Sequence, residues 1–273
     1  MATYLDGILA FVRREVKQRK LATDRAVLEA RAAYHAPRGF AAALRHAAAT
    51  RPAVIAELKK ASPSRGLIRP EFEPATLASV LAAAGAAALS VLTEEQYFQG
   101  SLENLRQASA ATSIPCLRKD FIVDEWQILE ARAACADAIL LIAAALSDAE
   151  LRQFTAFAHS IGLDVLCEVH DKAEANRVRD LGCDAVGVNN RNLQTFAVRL
   201  ETSLDLVEHL PADCVLVAES GIQNAADLVR LRAAGFHAFL IGESLMRQPE
   251  PGAALSDLLH GAARSSAEAV PCG

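Results

Sequence analysis

Residues 138 to 170 read AILLIAAALSDAELRQFTAFAHSIGLDVLCEVH. The stretch opens on an apolar run, Ala138 to Ile142, that is too short for a helix and rich enough in branched residues for a strand buried on both faces. Ser147-Asp148-Ala149-Glu150 follows, the pattern in which a serine caps a helix and a glutamate three residues on caps it in return. An amphipathic segment then runs to Gly162, a stop signal. A second apolar run, Val165 to Val169, completes a strand, helix, strand unit. A helical crossover of this length makes the two strands parallel.

The same unit recurs on both sides. Apolar runs at Val54 to Leu58, Ala88 to Leu92, Cys116 to Arg118, Ala138 to Ile142, Val165 to Val169, Ala185 to Val188, Val215 to Ala218 and Ala238 to Ile241 alternate with alanine-rich segments. Asp124 is placed to cap the helix that carries Trp126, Ile128 and Leu129, and Gly85, Gly162, Gly182 and Gly235 stand where helices should stop. Eight units about 20 to 35 residues apart predict an α/β fold, a closed (β/α)8 TIM barrel, rather than an open doubly wound sheet. No G-x-G-x-x-G follows the first strand, which counts against dinucleotide binding. Residues 1 to 50 precede the barrel and read as a helical extension, with Leu5, Ile8, Phe11, Val12 and Val16 on one face. The expected organisation is an extension over 1–50 packed on the barrel mouth and a catalytic barrel over 51–273, one structural domain overall, because no Gly/Ser/Pro tract separates them.

Composition narrows the partners. Of 273 residues, 52% are hydrophobic, enough for a large core, and no apolar run approaches the roughly 20 residues of a membrane helix. The net charge of −5 offers no basic field for nucleic acid or anionic lipid. Arg13 to Lys20 is interrupted by Glu15 and reads as a solvated helix face. The N-terminus lacks the charge order of a secretory signal. Cys116, Cys135, Cys167, Cys183, Cys214 and Cys272 form no C-x-x-C pair, and most lie in apolar runs, as reduced buried thiols do. A cytoplasmic protein that is a monomer or a weak dimer is the expectation, with no nucleic-acid or membrane partner.

Chemistry in such a barrel is done where the strands end. The polar residues gather there: Glu57 and Lys59, Thr93 and Glu94, Lys119 and Asp120, Glu168 and His170, Asn189 and Arg191, Glu219 and Ser220. The fourth strand contributes only apolar residues and predicts a greasy wall. Alternation puts Glu57 with Lys59, Lys119 with Phe121, and Glu168 with His170 on shared faces. A structural ion pair explains one such charge, whereas ionisable groups from four strands aimed at one opening point to a site. Glu219-Ser220-Gly221 and Ile241-Gly242-Glu243 follow the last two strands, where barrels hold phosphate on backbone N–H groups. Ser62 can add a hydroxyl from across the mouth. The Glu243 carboxylate would repel an anion, so only its backbone N–H is expected to take part. Cys167 and His170 face opposite ways and cannot share a metal. No metal cluster, P-loop or G-x-S-x-G is present in the sequence.

The blocks IAELKKASPSRG, LSVLTEEQYFQGS, PCLRKDFIVDEWQI, LCEVHD, GVNNRNLQTF, VAESGI and LIGESLMR, in this order, resemble the indole-3-glycerol phosphate synthase family, as does LDGILAFVRREVKQRK in the extension. The resemblance implies a carboxy-lyase of tryptophan biosynthesis. It closes the pyrrole ring of 1-(2-carboxyphenylamino)-1-deoxyribulose 5-phosphate with loss of carbon dioxide and water, using no metal or organic cofactor. Carried over block by block, Lys119 is the general acid and Glu168 the general base, while Lys59 pairs with the departing carboxylate and, like Glu57, is a candidate for assisting dehydration. Glu57 and Glu219 orient the lysines, and Asn189 holds the ring-closing region. Phe121 and Leu193 pack on the aromatic ring, Ser62, Ser220, Gly221, Gly242 and Glu243 hold the phosphate, and Arg191 touches substrate or clamps neighbouring carboxylates. Lys119 is expected to have a lowered pKa, through neighbouring cations and partial dryness, and Lys119→Ala to abolish turnover with little loss of stability. Two rivals remain: the phosphoribosylanthranilate isomerase of the same pathway, which needs a cysteine and an aspartate instead, and a barrel that binds phosphorylated metabolites without catalysis, which should have lost the lysines or Glu168.

Overall fold

The computed structural model describes residues 4–268. Eight strands, β1 Ala53–Leu58, β2 Ala88–Leu92, β3 Cys116–Lys119, β4 Ala138–Ile142, β5 Asp164–Val169, β6 Ala185–Asn189, β7 Val215–Glu219 and β8 Ala238–Ile241, pair in parallel in chain order. The ring closes where Ala53 to Ala56 of β1 pair with Ala238 to Ile241 of β8. Because the side-chain period is two, each strand feeds two environments. Val54, Leu58, Val91, Cys116, Ile139, Cys167, Val186 and Phe239 face the surrounding helices, while Ile55, Ala88, Leu117, Leu140, Leu166, Val217 and Leu240 fill the interior. The inward columns are therefore apolar from the bottom to mid-height.

Local signals seat the helices as the sequence implies. The Asp124 carboxylate accepts from Trp126 N at 2.9 Å, the Ser147/Glu150 reciprocal cap is formed, and the chain turns left-handed at Gly85, Gly162, Gly182 and Gly235. Cys116, Cys167, Cys183 and Cys214 are buried free thiols and Cys135 is partly exposed, whereas Cys272 lies outside the described residues.

The extension divides, and the expectation that residues 1–50 lie over the mouth needs correcting. Helix Tyr4–Ala22 buries Ile8, Val12 and Val16 against Val123, Trp126 and Leu129 on the flank, and its first turn reaches the mouth. Helix Phe40–Ala48 instead plugs the opposite end, with Phe40 and Leu44 fully buried beneath the inward residues of the strands. The reason is physical: the lower apolar layer would otherwise face water. Polar ties fix the plug, since Ala41 N donates to Asp164 Oδ2 at 2.8 Å, and Asp137, fully buried, accepts from Arg38 Nη2 at 2.6 Å, from Cys116 N at 2.6 Å and contacts His35 Nε2 at 3.0 Å.

Candidate active site

The strands run further than their apolar residues do. Lys119 pairs with Leu92, and Asn189 with Glu219, so three charged or amide side chains are the last rungs of the ladder rather than the first residues of loops. Polarity alone cut these strands short in the sequence, but backbone pairing is indifferent to what the side chain carries. The consequence is rigid placement of the polar tips. All the sequence-predicted site residues, Glu57, Lys59, Ser62, Lys119, Phe121, Glu168, Asn189, Arg191, Leu193, Glu219, Ser220, Gly221, Gly242 and Glu243, line one cavity of about 290 Å3 at the C-terminal end of the barrel. Leu140 and Ile142 supply the apolar wall expected of β4, and Tyr4, Phe98 and Phe196 add aromatic rim that sequence reasoning did not single out.

An ionic cluster forms the floor. Lys119 Nζ lies 2.7 Å from Glu168 Oε2 and 3.2 Å from Glu219 Oε2. Lys59 Nζ lies 2.5 Å from Glu57 Oε1, and His170 contacts Glu168 Oε1 at 3.3 Å and Glu174 Oε2 at 3.1 Å. Burial by itself would lower the Lys119 pKa, but Glu168, Glu219 and Glu57 outweigh it and raise it well above the ordinary value. The expected lowering is thus corrected: the neighbours of this lysine are carboxylates, not cations. Burial would raise Glu168, but Lys119 and His170 hold it well below the carboxylate range. Glu219 goes the other way, pushed up to about 7 by burial and by Glu168 against the pull of Lys119. Its Oε1 has no hydrogen-bond partner, and Gly187 makes room for it, since a Cβ there would collide with that oxygen. His170 is raised to about 10 because Glu168 and Glu174 overcome its burial.

Behind β3 lies a network that the sequence did not disclose. Arg118, fully buried on the outer face, reaches Asp120 Oδ2 at 2.8 Å and Glu130 Oε2 at 3.0 Å. Asp120 also accepts from Thr93 Oγ1 at 2.5 Å and from Phe121 N at 2.8 Å. Thr93 and Asp120 therefore serve to hold the tip of β3, and with it Lys119 and Phe121. Glu94, though it lines the cavity, spends its carboxylate on the N–H groups of Gln96, Tyr97 and Phe98. An arginine inside an apolar run was the one available signal for the network.

The opposite side of the mouth gathers left-handed turns, an unpartnered hydroxyl and guanidinium groups. Ser220 and Gly221 both have positive φ, 64° and 84°, and a Cβ at Gly221 would press on Val198. Asn190, buried, donates to Ser220 O at 3.1 Å and accepts from Ser203 N at 3.0 Å, tying the loops after β6 and β7 together. Ser62 belongs to a small hairpin, Ala61–Ser62 against Gly66–Leu67, and its Oγ is buried without a partner. Glu243 departs from expectation: its carboxylate meets Arg65 Nε at 3.0 Å, Arg247 Nε at 3.3 Å and Arg191 Nη2 at 3.5 Å. Arg191 is thus on the carboxylate clamp. Among the described residues no group of His, Cys, Asp and Glu is arranged to hold a metal.

A family model described as indole-3-glycerol phosphate synthase matches residues 5–258. A protein of Koribacter versatilis named indole-3-glycerol phosphate synthase is 57% identical over 259 residues, covering 95% of this chain and all of that one. One of the same name from Burkholderia vietnamiensis is 52% identical over 257 residues, covering 94% and 98%. Among solved structures, the thiamine phosphate pyrophosphorylase of Pyrococcus furiosus superposes with a TM-score of 0.59 at 17% identity over 80% of this chain and 98% of that one, which speaks to the fold alone.

Proposed function

The chain belongs to the indole-3-glycerol phosphate synthase family, and we propose from that premise how the mouth of its barrel carries out the family's reaction. The enzyme is a carbon–carbon lyase of tryptophan biosynthesis that converts 1-(2-carboxyphenylamino)-1-deoxyribulose 5-phosphate to indole-3-glycerol phosphate. Three changes are needed. The aromatic carbon bearing the carboxylate bonds to the ketone carbon while the ketone oxygen takes a proton. The bond to carbon dioxide then breaks, and its electron pair restores the aromatic ring. Last, the new hydroxyl takes a second proton and leaves as water as the methylene beside the nitrogen gives one up.

Lys119 is the acid for the first change. Held as an ammonium by its carboxylates, it is a poor acid toward ordinary acceptors and a strong electrostatic partner for a developing alkoxide. An alkoxide, with basicity near that of hydroxide, takes a proton even from so stabilised a donor. Glu168 is the base for the last change. It is too weak a base while Lys119 stays charged, and its basicity rises once that proton has left, so one ion pair orders the two steps. Glu219, pushed up to about 7, is the group able to return a proton to Lys119 once Glu168 has taken the methylene proton. Lys59, steered by Glu57, meets the carboxylate before it departs and then gives the leaving hydroxyl its proton, which Glu57 is placed to help restore. Asn189 lies beside the reacting ketone, and Phe121 and Leu193 take the aromatic ring against the apolar wall, where a leaving carboxylate is poorly solvated.

One observation carries this reading: a single ammonium bridging two buried carboxylates on the floor of a cavity whose far side offers guanidinium groups and glycine turns. Purified protein incubated with the substrate, without added metal, should generate indole fluorescence, and Lys119→Ala should not. Near-normal turnover in that variant refutes the assignment. The partner is this phosphorylated small molecule. No helix among the described residues is long and apolar enough to cross a membrane. The reading sets the protein in the cytoplasm as a monomer or weak dimer, which sedimentation at micromolar concentration tests.

A further inference from the structure

Three arginines from separate segments converge on the Glu243 carboxylate: Arg65 from the hairpin after β1, Arg191 from the loop after β6, and Arg247 just beyond helix Glu243–Met246. No other carboxylate is paired with any of the three among the described residues. The group thus carries two positive charges in excess. A phosphomonoester at neutral pH carries between about one and a half and two negative charges, so the excess is matched to that dianion. The geometry suits it as well, because guanidinium forks bond tetrahedral oxyanions in pairs. A second observation points to a ligand: the Ser62 hydroxyl, on the hairpin that carries Arg65, is 7% exposed, lines the same cavity, and has no hydrogen-bond partner. Such a buried orphan is costly unless something arrives to bond it.

We propose that Glu243 is the resident counter-ion of this seat. It gathers Arg65, Arg191 and Arg247 while the seat is empty and yields them to an incoming phosphate group, which makes it a specificity-determining residue and brings Arg247 into the binding machinery. A dianion with three acceptor oxygens can outcompete one carboxylate for three guanidinium groups, whereas a monoanion cannot. The resident charge therefore screens out acetate and chloride, which abound, in favour of phosphomonoesters. It also links recognition to the hairpin, because the guanidinium that leaves Glu243 for phosphate is the one at the hairpin tip. The inference rests on the phosphosugar reading of the mouth given above.

The test is calorimetric titration of the full-length protein with inorganic phosphate and, separately, with acetate, comparing wild type with Glu243→Gln. A merely structural glutamate predicts weaker anion binding when it is lost. A counter-ion predicts the opposite: phosphate should bind about tenfold tighter, and acetate binding, undetectable in wild type, should become measurable. Unchanged or weaker phosphate binding in a folded Glu243→Gln overturns the proposal. If that variant does not fold, Arg65→Gln decides, since Arg65 is more than half exposed in its side chain. Phosphate affinity several-fold lower supports the seat, and equal affinity overturns it. Failure here and failure of the enzymatic reading separate cleanly, because the titration needs no turnover. Active wild type with unaltered phosphate binding in Glu243→Gln sinks only the counter-ion, and inactive wild type with tighter phosphate binding in the variant sinks only the reaction.

Discussion

Replacing Glu219 by glutamine should stabilise the protein above pH 7 while disabling the reaction. Four carboxylates, Glu57, Glu168, Glu174 and Glu219, form the ionic cluster with three cations, Lys59, Lys119 and His170, leaving one negative charge in excess where water is scarce. Glu219 bears that excess, its pKa pushed from the ordinary 4.5 to about 7, first by burial and then by Glu168. The unfolded chain releases this proton near 4.5 and the folded chain near 7, so the folded state binds more protons in between and stability falls as pH rises through that window. About 2.5 pH units at about 1.4 kcal/mol each makes the full cost about 3.5 kcal/mol, nearly all of it present at pH 8. Glutamine escapes that cost but gives up the charge-assisted contact to Lys119, worth about 1.5 kcal/mol or more. A net gain of about 1 kcal/mol at pH 8 is expected, shrinking to nothing or reversing at pH 5, together with a fall in kcat of about 100-fold or more. Urea denaturation of both proteins at the two pH values, paired with the fluorescence assay, gives the answer. A variant destabilised by the same amount at both pH values would show that Glu219 is an ordinary structural partner of Lys119, and the charge accounting would be wrong.

Lys119→Met removes the cation between Glu168 and Glu219, and kcat/KM should drop by about 1,000-fold or more. Melting at pH 8 should reveal a loss of about 3 kcal/mol that is partly recovered at pH 5, where the stranded carboxylates protonate. His170 is raised from 6.5 to about 10, so its contribution to stability is complete below 6.5 and is lost as pH climbs through about 10. His170→Asn should accordingly flatten the stability profile between those limits, and an unchanged slope would exclude the Glu168 and Glu174 pairings as its source. Gly187→Ala places a methyl against Glu219 Oε1; a cost of about 1 to 3 kcal/mol and a marked loss of kcat should appear together, and full activity would show that the reaction does not depend on where Glu219 is held.

Most of the fold was legible because each level of the sequence agreed with the next. The reciprocal cap at Ser147, the stop at Gly162 and the apolar runs on either side all specify one strand, helix, strand unit, and repetition multiplies that agreement eightfold. What escaped was whatever depends on the third dimension. Residues 35–48 read as a helical extension, but nothing in their spacing says which end of a barrel needs a plug. The Asp137 and Arg38 tie that decides it joins residues 99 apart. Arg118 looked like one more residue of a strand, and only the position of Glu130 and Asp120 behind it turns it into the brace of β3. Arg247 closes the block LIGESLMR, but its pairing with Glu243 depends on the short helix that brings residues four apart onto one side.

The protonation states expose a deeper limit. Alternation along the strands was enough to say that Lys119, Glu168, Glu57 and Glu219 face the same opening, yet the sign of the Lys119 shift depends on which of the charges are nearest. Its closest neighbours are Glu168 and Glu219, so burial, which should weaken an ammonium, is overruled. That reversal changes what acid catalysis requires. A lysine with a lowered pKa would be an acid before substrate arrives, ready to lose its proton to water. A lysine locked between carboxylates holds its proton until an oxygen basic enough to claim it forms beside it, and the carboxylate it abandons becomes a base only then. The same reversal argues against the expectation that Lys119→Ala spares stability, because the ammonium proposed to time the chemistry also makes two buried carboxylates tolerable.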